Sequence, residues 1–167
     1  MRKAVLTASL TALLSGLPLP ECELQAQAPT NRIAGAWRVL DITSDSASKR
    51  ITRRAQPGLY LFTEGHYSIT RVAGNTPRRD FPAGLRRTAD TYREIWGPFI
   101  AQAGTYQMKG SYISTRPYVS KNPTSMRAGI FSTLRWRVVA DTLWLESIAN
   151  NAGPIPGRSV VRLLRQR

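Results

Sequence analysis

The chain reads as an all-β protein: eight antiparallel strands in up-and-down order, closed into a barrel, with one helix between the third and fourth strands. Three observations predict this. Gly35 and Trp37 stand ahead of an alternating apolar run, Trp37 to Ile42. Downstream, short apolar runs alternate with Pro57-Gly58, Glu64-Gly65 and Lys109-Gly110 turn signals. Helical spacing appears in one place, where Tyr92, Ile95, Trp96 and Phe99 recur on one side of 88–101.

Taken in order, 29–34 is a short lead-in and 36–43 is the first strand, with Trp37 and Val39 on one face and Leu40 and Ile42 on the other. Residues 44–56 are polar and basic and read as a loop. Strands at 59–62 and 66–72 flank the tight turn Thr63-Glu64-Gly65 and form a hairpin. The stretch 73–87, with Gly74, Pro77, Pro82 and Gly84, is long and irregular, as mouths and lids often are. Thr88 caps the helix and Gly97-Pro98 kinks or divides it. Its aromatics pack it onto the barrel or across one end, or else Trp96 and Tyr92 line an entrance. A second hairpin joins 105–108 to 112–120. Strands at 130–139, 143–148 and 159–164 follow, the last after a Pro/Gly-rich loop at 150–157. Short turns between successive strands make neighbours antiparallel.

The N-terminus has the form of a secretory signal peptide over 1–28, leaving a single domain over 29–167. Arg2-Lys3 is a basic start, 4–17 is apolar and rich in Ala and Leu, and Ala26-Gln27-Ala28 suits signal peptidase. The apolar run is too short and interrupted for a membrane span. Cys22 is the only cysteine, and Pro20-Glu21 stands where a lipobox wants small residues. The domain after residue 28 therefore has no thiol, and packing must stabilise it without disulfides. A periplasmic or secreted location follows. The formal net charge is +14, and it is mostly arginine, since the lysines are Lys3, Lys49, Lys109 and Lys121. Arginine-rich coding is one source; an anionic envelope surface as partner is another. Nucleic acid is not expected for an exported chain.

The order and spacing of several stretches resemble bacterial lipocalin-like domain proteins. These are Gly35-Ala36-Trp37-Arg38-Val39-Leu40, the run from Pro57 to Ser68, Ala103-Gly104-Thr105-Tyr106, Tyr118 to Pro123 and Ala140-Asp141-Thr142-Leu143-Trp144-Leu145. The resemblance spans about residues 33–165. It implies a central cavity for a small hydrophobic molecule. It also implies that Trp37 plugs the closed end, with Arg162 or Arg165 of the last strand lying across it as a cation–π contact.

Chemistry-bearing constellations are sparse. His66 is the only histidine and has no Cys, Asp or Glu cluster beside it, so no metal site or catalytic triad is expected, and no cofactor fingerprint is present. As a hairpin-turn residue, His66 bonds locally. Asp41 and Glu146 lie in strands and are expected to pair with arginine. Alternation puts Tyr112, Ser114, Arg116 and Tyr118 on one face of 112–120. If that face points inward, it offers a guanidinium and a phenol to a carboxylate or phosphate head. If it points outward, Ile113, Thr115 and Val119 fill the core. On 130–139 the expected arrangement is Leu134 and Trp136 inward, Arg135 and Arg137 outward.

The expected function is binding of a small hydrophobic or amphipathic molecule in the barrel, without catalysis. The expected ligand-binding residues are Arg116, Tyr118, Trp136, Trp144 and Trp96. Two alternatives stand beside it: a barrel enzyme of isomerase or cyclase type acting on a small lipid-like substrate, and a basic envelope protein binding anionic lipid or polysaccharide.

Overall fold

A computed structural model describes residues 31–167 apart from 47, 48, 82 and 85–87. The signal expected over 1–28 and the basic pair Arg86-Arg87 lie outside the described residues, as do the side chains of the pairs 49–50 and 53–54. The strands are β1 (Gly35–Ser46), β2 (Lys49–Arg54), β3 (Gly58–Phe62), β4 (His66–Val72), β5 (Phe99–Lys109), β6 (Tyr112–Ser120), β7 (Ser132–Val139), β8 (Thr142–Asn150) and β9 (Gly153–Gln166), with helix α1 (Ala89–Trp96) between β4 and β5. Every neighbouring pair is antiparallel, and β1 pairs with β9 to close the sheet on itself.

β2 is a correction to the loop expected at 44–56. One edge of β1 pairs with β9 over Ala36–Ser44. The other pairs with β3 near its start (Gly35↔Phe62 to Arg38↔Leu59) and with β2 near its end (Asp41↔Arg54 to Ser46↔Lys49). β2 and β3 are thus two halves of one barrel strand, interrupted at 55–57, and the closed barrel has eight staves. The sequence of β2 is basic and carries no run of alternating apolar residues, and the strand is evident only from its backbone pairing with β1.

Three other boundaries move. β9 begins at Gly153, so most of the expected loop 150–157 is strand, with a register shift against β8 between Ser147 and Ala149. Gly97-Pro98 ends the helix, and 99–101 belong to β5. A bulge against β9 between Val39 and Asp41 brings Ile42 to the core side with Trp37 and Val39, where simple alternation put it opposite them. A second irregularity faces Gly104, where an added Cβ would sit 2.0 Å from the Arg116 carbonyl oxygen, so the backbones approach too closely there for any side chain.

Thr88 caps α1 as expected, its hydroxyl accepting from the Thr91 amide at 3.2 Å. At the other end Lys121 donates to the carbonyls of Gly97 (3.0 Å) and Phe99 (2.9 Å), and to that of Trp96. A cation on these carbonyls satisfies orphan acceptors and suits the negative end of the helix dipole. Ile95 is buried, whereas Tyr92 and Trp96 remain exposed.

The closed end is knitted around Trp37, which is fully buried. Its indole nitrogen donates to the Ile33 carbonyl at 2.7 Å, drawing the lead-in under the barrel so that Ile33 is also fully buried. The Arg165 guanidinium lies 4.1 Å from the Trp37 ring centroid and donates to the carbonyls of Ala34 and Arg32, both at 2.8 Å. Of the two candidate arginines, Arg165 is therefore the one across the tryptophan. Arg162 faces outward and grips both oxygens of Asp41, with its Nε 2.9 Å from each. That pairing raises the Arg162 pKa, chiefly through the hydrogen bonds. Glu146 likewise pairs outside the barrel, with Arg158 at 2.9 Å and Arg135 at 3.7 Å.

Arg165→Ala removes a cation–π contact and leaves two carbonyls without their donor. A loss of about 2–3 kcal/mol is expected in denaturant unfolding. Arg162→Ala removes a surface pair and is expected to cost less than about 1 kcal/mol. Equal losses would refute the assignment of the closed end to Arg165.

Candidate functional site

Side-chain size divides the barrel interior. Near the closed end the inward positions carry Trp37, Phe62, Tyr106, Ile113, Leu143 and Leu163, all buried. Phe62 and Tyr106 meet edge-to-face at 5.6 Å, and the Tyr106 hydroxyl donates to the Thr63 carbonyl at 2.6 Å. Residues of this size fill an eight-stranded barrel. Toward the other end, small residues stand on adjacent strands: Ser44 of β1 pairs with Ser159 of β9, which pairs with Ser147 of β8. Small side chains there leave space unfilled.

That space is a cavity of about 200 Å³. Ile42, Ile69, Ile100, Leu134, Leu145 and Val161 supply its apolar wall. Tyr60, Arg71, Gln102, Thr115, Ser147 and Ser159 supply polar groups. A neighbouring hollow of about 230 Å³ shares Ile42, Arg71 and Ser159 with it and adds Ser44, Ala55 and Gly74. The second hollow lies beside Ala55, at the break between β2 and β3; it is the more open of the two and is termed the mouth, the first being the more enclosed.

Burial controls the ionisable groups here. Tyr60 has its pKa raised by burial, offset in part by the charge and hydrogen bond of Arg71. Tyr67 sits one inward step below Ile69 on β4, and burial pushes its hydroxyl up from 10.0 to about 12. Thr115 is close enough to lower that value slightly. The Thr115 hydroxyl, however, is given to the Ser132 carbonyl at 3.3 Å, and the Tyr67 hydroxyl has no full hydrogen bond.

The five residues expected to bind ligand are not brought together. Arg116 is exposed on the outer face opposite Thr105, and Tyr118 lies in the irregular part of β6 with 58% of its surface exposed. Their face of β6 points outward because Ile113 and Thr115 point in, although Val119, expected beside them in the core, is itself exposed. Trp144 is on the outer face of β8, where the Arg137 guanidinium stacks 4.2 Å from its ring centroid. Leu134 and Trp136 do face inward while Arg135 and Arg137 are exposed. Trp136 nevertheless belongs to the closed end, its indole nitrogen donating to the Gly110 carbonyl at 3.1 Å. Trp96 stands outside the barrel, edge-on to Phe99 at 5.7 Å, beside an exterior hollow of about 440 Å³ that it shares with Arg78, Phe81 and Ile95.

Sequence reasoning missed Tyr60, Arg71, Gln102 and the serines. One signal was available: alternation along β4 places Arg71 on the same face as Tyr67 and Ile69. His66 is exposed and its Nδ1 lies 3.3 Å from the Glu64 carbonyl, a local turn contact as expected. Arg78 lies over the Phe99 ring at 5.2 Å, and Arg79 pairs with Glu94 at 3.4 Å. Among the described residues there is no group of three His, Cys, Asp or Glu side chains placed to hold a metal ion. Nor is any helix among them long and apolar enough to cross a membrane.

The class of protein this defines is a closed, eight-stranded antiparallel β-barrel, plugged at the tryptophan end and hollow toward the other. Among solved structures the chain is similar to a lipocalin-like protein from Bacteroides uniformis ATCC 8492, with 16% identity, 80% of this chain and 97% of that one covered, and a TM-score of 0.44. No protein-family model matches the sequence, and no curated protein matches it.

The raised Tyr67 pKa sets a direction for alkaline stability. The folded state holds the neutral phenol, and the unfolded chain ionises near the ordinary 10.0. The stabilisation is complete below that pH and is lost as pH rises toward about 12. Tyr67→Phe is expected to leave neutral-pH stability unchanged or slightly higher, since it removes an unsatisfied buried hydroxyl. It is also expected to shrink the alkaline decline, with Tyr60 supplying the remainder. Thermal melts at stepped pH check this; an undiminished decline in the variant would exclude Tyr67 as its source.

Proposed function

We propose that this is an exported protein that binds one small amphipathic molecule inside its barrel. The observation that carries the reading is the cavity of about 200 Å³, enclosed by strands and walled by both apolar and hydrogen-bonding side chains. Apolar burial supplies affinity and a few fixed polar groups supply orientation. Drug-sized ligands occupy pockets of roughly 300–1,000 Å³, so the deep cavity favours a smaller molecule whose polar end reaches the mouth. The lining assigned to the ligand is Tyr60, Ile69, Arg71, Gln102, Leu134 and Ser159, in place of the set expected from the sequence. Export rests on Arg2-Lys3, the apolar run 4–17 and Ala26-Gln27-Ala28.

Hexanol and hexanoate, titrated into the isotopically labelled protein and followed by amide chemical shifts, test the reading. Saturable shifts are expected on the inward-facing strand positions around Ile69, Leu134 and Ser147. Ser147→Phe fills the cavity and is expected to weaken binding at least about tenfold with the circular dichroism unchanged. If neither compound binds the unaltered protein, the reading fails. If Ser147→Phe binds as tightly as the parent, the cavity is not the site.

A further inference from the structure

We infer that the barrel cavity selects a small carboxylate, seated on Arg71 at the junction of the deep cavity and the mouth. This rests on the binding function proposed above and names the chemistry of the ligand's head.

Arg71 is partly buried on the inward face of β4, above Ile69 and Tyr67, and it borders both hollows. Among the described residues no carboxylate pairs with it. Of the acids in the barrel strands, Asp41 pairs with Arg162 and Glu146 with Arg135 and Arg158 on the outer side, while Asp45, near the end of β1, is exposed and lines neither hollow. Arg71 has the Tyr60 hydroxyl as its neighbour, and a phenol does not neutralise a guanidinium. The lining around it offers hydrogen-bond donors, namely the Gln102 amide and the hydroxyls of Ser147 and Ser159, and no acidic side chain. A cation drawn into a half-dry site with neutral donors around it is a seat for an anion.

The backbone opposite makes room for this side chain. Gly58 pairs with Arg71 across the β3–β4 ladder. A Cβ added there would come within 2.6 Å of the Arg71 Cβ and 2.7 Å of Val39 Cγ2, so a glycine keeps the stem of Arg71 clear beside the core. The planar guanidinium matches the two oxygens of a carboxylate. Below it, Ile42, Ile69, Leu134 and Leu145 surround the space for a short apolar tail, whose length the cavity volume limits.

The test is calorimetric titration of the unaltered protein, Arg71→Met and Arg71→Lys with hexanoate and with hexanol, which have similar tails and different heads. The unaltered protein is expected to bind hexanoate at least about tenfold more tightly than hexanol. Arg71→Met is expected to abolish that preference while hexanol binding persists, and Arg71→Lys to retain part of it, since the charge remains and the fork is lost. Should Arg71→Met fail to fold, salt dependence of the unaltered protein decides: added salt must weaken hexanoate and leave hexanol unchanged. Saturable binding of both compounds with equal affinity, or a preference that survives in Arg71→Met, overturns the carboxylate seat and leaves the binding function standing. Binding of neither compound overturns the binding function itself.

Discussion

The stack of Arg165 on Trp37 is the contact on which the rest of the barrel depends. It joins the first strand to the last, which is the one pairing a closed sheet needs and an open sheet lacks. It does so at the end of the barrel where the chain enters. Trp37 holds the Ile33 carbonyl and Arg165 holds those of Ala34 and Arg32, so one aromatic–cation pair fixes the strand seam and the lead-in together. With no cysteine after residue 28, this end is closed by packing and hydrogen bonds alone.

Closing one end with bulky groups decides where the interior is hollow. The barrel circumference is set by its eight staves and does not widen along its axis to suit the side chains. Where the inward positions hold Trp37, Phe62 and Leu163 the interior is full; where they hold Ser44, Ser147 and Ser159 it is not. The break between β2 and β3 falls at the same end, so the gap in the wall and the gap in the core coincide. No residue of α1 lines this mouth, and Ile95 is the buried residue of that helix.

Charge is partitioned by the same wall. Arginines of the outer face meet the few acids, as Arg162 does Asp41 and Arg158 does Glu146, or stack on an aromatic ring, as Arg137 does on Trp144. Arg71 is on the other side of the wall, where the acids do not reach. The large positive charge read from composition thus has two physical meanings. Among the described residues, the arginines named above lie on the solvated exterior, and Arg71 faces the cavity.

How much of this was legible beforehand depends on how local the cause is. The barrel, the hairpin turns and the inward Leu134 and Trp136 follow from alternation and turn residues, which each short segment carries within itself, and the tryptophan end follows from the family resemblance carried by Gly35 to Leu40. The strand β2 was invisible because its basic sequence carries no run of alternating apolar residues. The faces of β6 remained open because alternation gives two faces without saying which is inside, and the outward turn of Arg116 and Tyr118 was decided by the partners of Ile113 and Thr115. The choice of Arg165 over Arg162 rested on the β1–β9 register, and the cavity rested on which small residues that register set side by side. The sequence alone determined that the chain would form a barrel and which tryptophan would plug it. Only the tertiary structure decided where the barrel is hollow and which cation faces that space, because both depend on register between strands far apart in the chain.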